Sequence, residues 1–297
     1  MDITLSEIRS FNALVKFGSF TQAAKHLGVS QPAITAQVRR LEARTNQVLL
    51  ERHHKEIKPT QLGLKLYHLS CEYINLDSAV DEIFNEQPGE QFQLCIATAS
   101  PIIFMPLIAA FSERYPDAQL QVITGATDFC RSALINNEAD IGLFPMYGTQ
   151  HNFESMAFHH HYLMAIVHPN HPLANAQTID IKQLSEESII AHNSDSYTQR
   201  YADQMFAQQG LTPTSTMTMD MSEHICNAVA LGLGVGFGLS DDIREDNKRY
   251  RLVAIDDEDG VIEHVSWLPL HSKKRGIAEF IALAKTHSTL AISSTNH

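Results

Sequence analysis

Residues 19–42 read SFTQAAKHLGVSQPAITAQVRRLE. Ser19 is placed to cap a short helix, FTQAAKHL, and the adjacent Ala23 and Ala24 let another helix pack close against it. Gly28 supplies a tight turn. Ser30 then caps a longer helix, QPAITAQVRRLEAR, with Pro32 in its first turn, where a missing N–H is harmless. Helix, glycine turn and polar-faced helix make the spacing of a helix-turn-helix. In that motif the first helix crosses the DNA backbone and the second offers its N-terminal side chains to major-groove base edges. Gln31, Thr35 and Gln37 carry groups that hydrogen-bond bases, and the methyls of Ala33 and Thr35 suit thymine methyls. Lys25, Arg39 and Arg40 suit phosphates, which fix register without reading sequence.

On the N-terminal side, Leu5, Ile8, Phe11, Leu14, Val15 and Phe17 recur near helical spacing up to Gly18. On the C-terminal side, LLERHHKEIKPTQLG reads as two short strands around a basic turn. Arg52, His53, His54, Lys55 and Lys58 there would form a wing reaching the DNA backbone or minor groove. The charge supports this division of labour. The 297-residue chain carries −12, yet its first 60 residues hold nine Lys/Arg against five Asp/Glu, a local +4 on a body of −16. The alternative, a small helical domain with a merely solvated charged face, leaves that inversion unexplained.

Residues 61–84 predict one long helix. Leu62, Leu66, Leu69, Tyr73, Leu76, Val80 and Ile83 alternate spacings of four and three, a heptad seam suited to pairing two copies. The competing reading is a helix packed on its own domain. The polar break EQPGEQ at 86–91 marks a hinge. From Phe92 onward strands and helices alternate, which predicts an α/β domain with largely parallel sheets. Three parts are expected: a winged helix-turn-helix over 1–60, a linker and dimerisation helix over 61–87, and a regulatory domain over 88–297. The last splits into lobe one, about 92–161 and 267–297, and lobe two, about 162–266.

The run F-x-x-A-A-x-x-L-x-x-S-Q-P-A-I-T-x-Q-V-x-x-L-E, from Phe20 to Glu42, resembles the signature of the LysR-type transcriptional regulators, and Thr60-x-x-Gly63 fits it as well. The resemblance extends along the whole chain: α+β multidomain, with a winged helix-turn-helix, a long linker helix, and a two-lobed α/β effector domain resembling periplasmic binding proteins. It implies a dimer of dimers that binds double-stranded operator DNA near its target genes and answers to a small-molecule effector; the partners expected of this chain are a second copy, as homodimer or homotetramer, and RNA polymerase. It also implies that Gln31, Pro32, Ala33, Thr35 and Gln37 sit at the DNA. With the flanking Lys25, Ser30, Arg39, Arg40, Arg52, His53 and Lys55 they form the expected DNA-contacting set. The chain departs from the pattern in having Leu49-Leu50 where Leu-Phe is usual. It also has His53 and His54 where an arginine often sits, and Leu239-Ser240 where a proline commonly follows the glycine run.

In two-lobed α/β domains ligands lie at the carboxyl ends of the strands, where helix N-termini offer N–H groups and partial positive charge suited to anions. Ser and Thr fall at those junctions: Thr98 and Ser100 with Pro101 before the helix PIIFMP, Thr124 and Thr127 after the next strand, and Ser194, Ser196 and Thr198 near the helix TQRYADQMF. Ser222 opens the helix after STMTMD. The plain alternative for each is a helix cap without a ligand. Of these, Thr98, Ser100, Pro101, Thr127, Ser194, Ser196, Thr198 and Ser222 are the expected effector contacts, for a small anionic metabolite held between the lobes.

Other chemistries find less support. Cys71, Cys95, Cys130 and Cys226 form no CxxC pair, so no zinc site or disulfide framework is expected. His159, His160 and His161 are adjacent on a strand and cannot all face one ion, so no metal and no cofactor is expected. GLGVGFG at 232–238 follows a helix, the wrong order for a dinucleotide loop. No GxSxG elbow exists, and no enzymatic activity is expected. MDITLSEIRSF lacks a secretory pattern and no run approaches a membrane span, so a cytoplasmic protein with no membrane partner is expected. Two other classes stay open: a module that only binds a metabolite, and an architectural DNA-binding protein without ligand control. A periplasmic transport protein would match the fold after residue 92 but not the basic head.

Overall fold

A computed structural model describes residues 3–53, 56–85, 93–146, 152–243, 248–257 and 259–290. The chain divides near residue 90 into two compact units. In the first, α1 (Leu5–Phe17), α2 (Phe20–Leu27) and α3 (Gln31–Thr45) precede a hairpin of β1 (Leu50–His53) and β2 (Glu56–Pro59), and α4 (Gln61–Asn85) follows. Gly28 takes φ of +65° in the turn between α2 and α3, a conformation that costs other residues energy. Ala23, Ala24, Ile34, Val38 and Leu41 are buried with Phe11 and Leu14 of α1. The hairpin is tied to α3 through Glu42, whose carboxylate accepts from the backbone N–H of Leu49 at 2.9 Å and of Leu50 at 3.3 Å.

The Thr60-x-x-Gly63 motif joins the hairpin to α4. Thr60 Oγ1 donates to the Val48 carbonyl at 3.0 Å and accepts from Gly63 N at 3.0 Å. A Cβ on Gly63 would stand 2.1 Å from the Leu49 carbonyl oxygen, so only glycine permits this approach. Along α4, Tyr67, Ser70 and Cys71 are buried against the head, and Asn12 Nδ2 donates to Ser70 Oγ at 2.9 Å. Leu66, expected in the seam, is half-buried and packs partly against the head core. Leu62, Leu69, Tyr73 and Leu76 stay exposed, Leu69 at 63%. The side chains of Val80 and Ile83 lie outside the described residues.

The second unit has two sheets. Lobe one is ordered β4-β3-β5-β13-β6, from β3 (Gln93–Thr98), β4 (Gln119–Thr124), β5 (Ile141–Pro145), β6 (Glu154–His161) and β13 (Val261–Trp267). Lobe two is ordered β10-β9-β11-β7-β12-β8, from β7 (Leu163–Val167), β8 (Thr178–Ile179), β9 (Ile189–His192), β10 (Ser215–Met219), β11 (Val235–Leu239) and β12 (Arg251–Ile255). Helices α5 (Pro101–Arg114), α6 (Thr127–Ile135) and the C-terminal α9 (Arg275–His287) belong with lobe one. Helices α7 (Tyr197–Gln208) and α8 (Ser222–Ala230) belong with lobe two. Phe111 of α5 meets Phe280 of α9 at 5.2 Å between rings.

Two expectations need correction. The sheets are mixed, not largely parallel: β3 pairs parallel with β4 and β5, but β13 pairs antiparallel with β5 and β6, and β7 antiparallel with β11 and β12. The antiparallel strands are those by which the chain crosses between lobes, so they enter from the opposite side. The return crossing also comes earlier than expected. All of β13 lies in the lobe-one sheet, which moves its residues to lobe one, although Val261 at its start still packs into the lobe-two core.

Glu7 is a buried carboxylate of the head. Its carboxylate accepts from Thr4 N at 2.8 Å and lies 3.3 Å from Arg44 Nε. The Thr4 backbone bond, opposed by burial and helped by the Thr4 hydroxyl and the Arg44 charge, holds its pKa below the usual value. A depressed carboxylate adds stability that is present above its unfolded pKa and is lost as pH falls through the folded one. Glu7→Gln should cost about 1–3 kcal/mol near neutrality, because it weakens a buried charged hydrogen bond. The loss should shrink in acid, as read by calorimetric melts of the head transition from pH 7 to 3.

Candidate functional site

The inner stripe of α3 is buried, and this decides what its outer face presents. Ile34, Val38 and Leu41 point into the head core, leaving Gln31, Pro32, Arg39 and Arg40 exposed and Ala33, Thr35 and Gln37 half-buried. Gln31, Pro32, Thr35, Ala36 and Arg39 line one shallow surface groove. Ala36 was not among the residues expected from sequence. Gln37 sits about 200° around the helix from Thr35 and lies outside that groove. Thr35 Oγ1 donates to the Gln31 carbonyl at 3.1 Å, and Thr21 Oγ1 donates to Gln31 Oε1 at 3.4 Å.

Ser30 holds the N-cap backbone position of α3, but its side chain makes no capping bond, contrary to expectation. Ser30 is exposed, so water can satisfy the helix N-terminus and its hydroxyl is left facing outward with it. Lys25 is exposed near the end of α2. Arg52 and His53 lie in β1, with Arg52 opposite Ile57 and His53 opposite Glu56. Their side chains, and the whole of His54 and Lys55, lie outside the described residues.

In the regulatory unit the expected contacts fall into separate groups. Thr98 ends β3, fully buried, and its Oγ1 accepts from Ser100 N at 3.2 Å. Ser100 is the N-cap residue of α5 with Pro101 next, yet its hydroxyl caps nothing and instead donates to Glu263 Oε1 at 2.5 Å. Thr127 is buried at the start of α6. Ser194 is exposed, while Ser196 at the N-cap of α7 and Thr198 are half-buried. Ser222 is the first residue of α8, whose N-cap position is Met221.

Sequence reasoning missed Glu263, Asp241 and Asp242 near these positions and weighed His159 and His161 only as metal ligands. Glu263 and His161 are each 0% exposed, with His161 Nε2 3.4 Å from Glu263 Oε1. His159 Nε2 lies 2.9 Å from Asp241 Oδ2, in the turn after β11. His160 points the other way, its Nε2 2.9 Å from the Asp259 carbonyl. Among the described residues no group of His, Cys, Asp or Glu is arranged to hold a metal. Arg200 of α7 reaches across from lobe two to Asp128 of α6 in lobe one at 2.8 Å. The sequence holds a clue to Glu263: Val261, Glu263 and Val265 alternate on the buried side of β13.

Burial pushes the thiols of Cys95 and Cys226 up, and that of Cys130 up to about 12, with the Glu263 charge adding to the last. These three thiols therefore stay protonated at neutral pH. Burial also raises Asp242 to about 6, opposed by His161 and reinforced by Glu263. A carboxyl with a raised folded pKa binds a proton that the unfolded chain has already released, so its stabilising protonation is lost as pH rises from about 4 to 6. Asp242→Asn should raise the melting temperature at pH 7 and flatten its slope across that window. An unchanged slope would mean that Asp242 titrates normally.

Residues 5–64 match the family described as bacterial regulatory helix-turn-helix protein, lysR family, and residues 86–288 match the LysR substrate binding domain. The RuBisCO operon transcriptional regulator of Allochromatium vinosum is 28% identical over 281 residues, covering 94% of this chain and 93% of its own. Among solved structures, a full-length OxyR point variant from Pseudomonas aeruginosa superimposes with a TM-score of 0.77 at 18% identity, covering 98% and 97% of the two chains. Full-length CbnR in complex with its target DNA gives a TM-score of 0.56 at 20% identity, covering 96% and 99%. With both of its parts matched, the chain belongs to the LysR family of bacterial transcriptional regulators.

Proposed function

We propose that the protein is an operator-specific regulator in which α3 reads the major groove, α4 pairs two heads, and the two-lobed unit binds a small effector. The observation that carries this reading is the groove of Gln31, Pro32, Thr35, Ala36 and Arg39 on the exposed face of α3. Its small, amide and hydroxyl groups suit base edges, and its arginine suits phosphate or guanine. CbnR, a structural neighbour, is solved on its target DNA, which supports the same use of this head. The relatives are transcriptional regulators, which favours regulation over catalysis. Among the described residues no helix is long and apolar enough to cross a membrane.

Pairing rests on the exposed seam of Leu62, Leu69, Tyr73 and Leu76, apolar surface that a partner helix would cover. Exposed Ile102, Met105 and Val122 on α5 and β4 of lobe one, and Met217 and Met221 at β10 and α8 of lobe two, offer further apolar surface on each lobe for assembly into a homodimer or homotetramer. Effector binding would favour one lobe arrangement over another and so bias the spacing of the heads. That leaves the metabolite-binding module and the architectural protein as the readings to be eliminated.

Fluorescence anisotropy with DNA from upstream of the protein's own coding region tests DNA reading. Thr35→Ala should cost about 1–3 kcal/mol on that DNA and little on random DNA. Arg39→Ala should weaken both and lower the salt slope by about one if Arg39 binds phosphate. Equal losses on both DNAs for Thr35→Ala would contradict base reading. For pairing, Leu69→Glu with Leu76→Glu should shift sedimentation equilibrium toward smaller species at micromolar protein. Unchanged mass would assign the seam no part in assembly.

A further inference from the structure

The sequence pointed to an anion at the N-terminus of α5, and the structure argues for a different ligand. The Ser100 hydroxyl that would greet an anion already donates to Glu263 Oε1 at 2.5 Å. Glu263 reaches this spot from β13, pairing with β5 opposite Pro145, beyond the carboxyl end of β3. The chain thus places its own carboxylate where the helix N-terminus favours negative charge.

The groups packed around it are largely acidic, and the two histidines among them, which could donate to an anion, each already face a carboxylate. From β6 come His161, 3.4 Å from Glu263, and His159, which is paired with Asp241. From the turn after β11 come Asp241 and Asp242, and from α6 comes the Cys130 thiol, close enough to feel the Glu263 charge. An incoming carboxylate, sulfate or phosphate would have to share this space with Glu263, against like-charge repulsion that low polarity strengthens.

Glu263 is also incompletely satisfied. Its Oε2 is buried with no hydrogen-bond partner among the described residues, and so are both ring nitrogens of the fully buried His161. Native proteins seldom leave a buried charged oxygen unpaired, because the desolvation loss is then uncompensated. A partner that comes and goes would meet this need, and it must donate hydrogen bonds.

We infer that the regulatory unit takes an effector presenting N–H donors to Glu263 Oε2, a neutral or cationic nitrogenous compound, and that Glu263 excludes anions from the same position. This rests on the reading of the two-lobed unit as the effector-binding part. Glu263 acts here as the specificity-determining residue, with Ser100 orienting its carboxylate.

Benzamidine and benzoate test this, being alike in size and shape while one donates N–H bonds and the other is an anion. Both are titrated calorimetrically into the full-length protein, wild type, Glu263→Gln and Ser100→Ala, with thermal melts alongside. Wild type should bind benzamidine in preference to benzoate. Glu263→Gln should weaken benzamidine by about tenfold or more, the scale of a lost charged hydrogen bond, and should admit benzoate. Ser100→Ala keeps the carboxylate but removes the hydroxyl that orients it, so it should weaken benzamidine while still excluding benzoate; with wild type it decides the matter if Glu263→Gln fails to fold. Benzoate binding wild type as well as benzamidine, or benzamidine undiminished in Glu263→Gln, overturns the ligand class while leaving an effector site in place. Binding of neither probe to any of the three proteins overturns both the ligand class and the effector reading.

Discussion

Burial of Ile34, Val38 and Leu41 against α1 is the constraint on which the head depends. A helix with one apolar stripe has one way to sit on a core, and that fixes its opposite face toward solvent. Gln31, Thr35 and Arg39 follow one another at intervals of four on the exposed side because of it. The same seating sets Glu42 beneath the hairpin, where its carboxylate holds the N–H groups of Leu49 and Leu50. Core packing, the outward groove and the wing are consequences of one helix orientation.

The regulatory unit depends on a different device, the double passage of the chain between its sheets. β6 runs into β7 within two residues, and β12 returns to β13 over residues 256–260. These crossings gather His159, His161 and Glu263 on one ribbon and bring the turn after β11, with Asp241 and Asp242, against them. Charged side chains therefore concentrate where the lobes are joined. Arg200 and Asp128 also link α7 to α6. A ligand that changes the charge or hydrogen bonding at Glu263 acts on the part of the fold where the lobes are connected.

Much of this was legible in the sequence where local rules govern. Ala23-Ala24, Gly28 and Pro32 marked the helix-turn-helix because steric fit and backbone geometry act within a few residues. Thr60-x-x-Gly63 was visible as a motif, but its reason, the approach of α4 to the Leu49 carbonyl, appears only in three dimensions. The heptad count could not separate Leu66, which the head core uses, from Leu69, Tyr73 and Leu76, which remain exposed. Mixed sheet direction was hidden because alternating strands and helices carry no sign of a crossing between lobes. Ser100 is legible as a helix-end residue, but its partner is 163 positions away in sequence. No spacing rule reaches that far.

The most direct measurement is the salt dependence of DNA binding by the purified protein. Upstream and random duplexes of equal length are compared by fluorescence anisotropy at several salt concentrations. An operator-reading helix predicts a preference for the upstream duplex that persists at physiological salt, because base contacts release few counterions. Equal affinity for the two duplexes, falling together as salt rises, would contradict base reading and leave only attraction to phosphate.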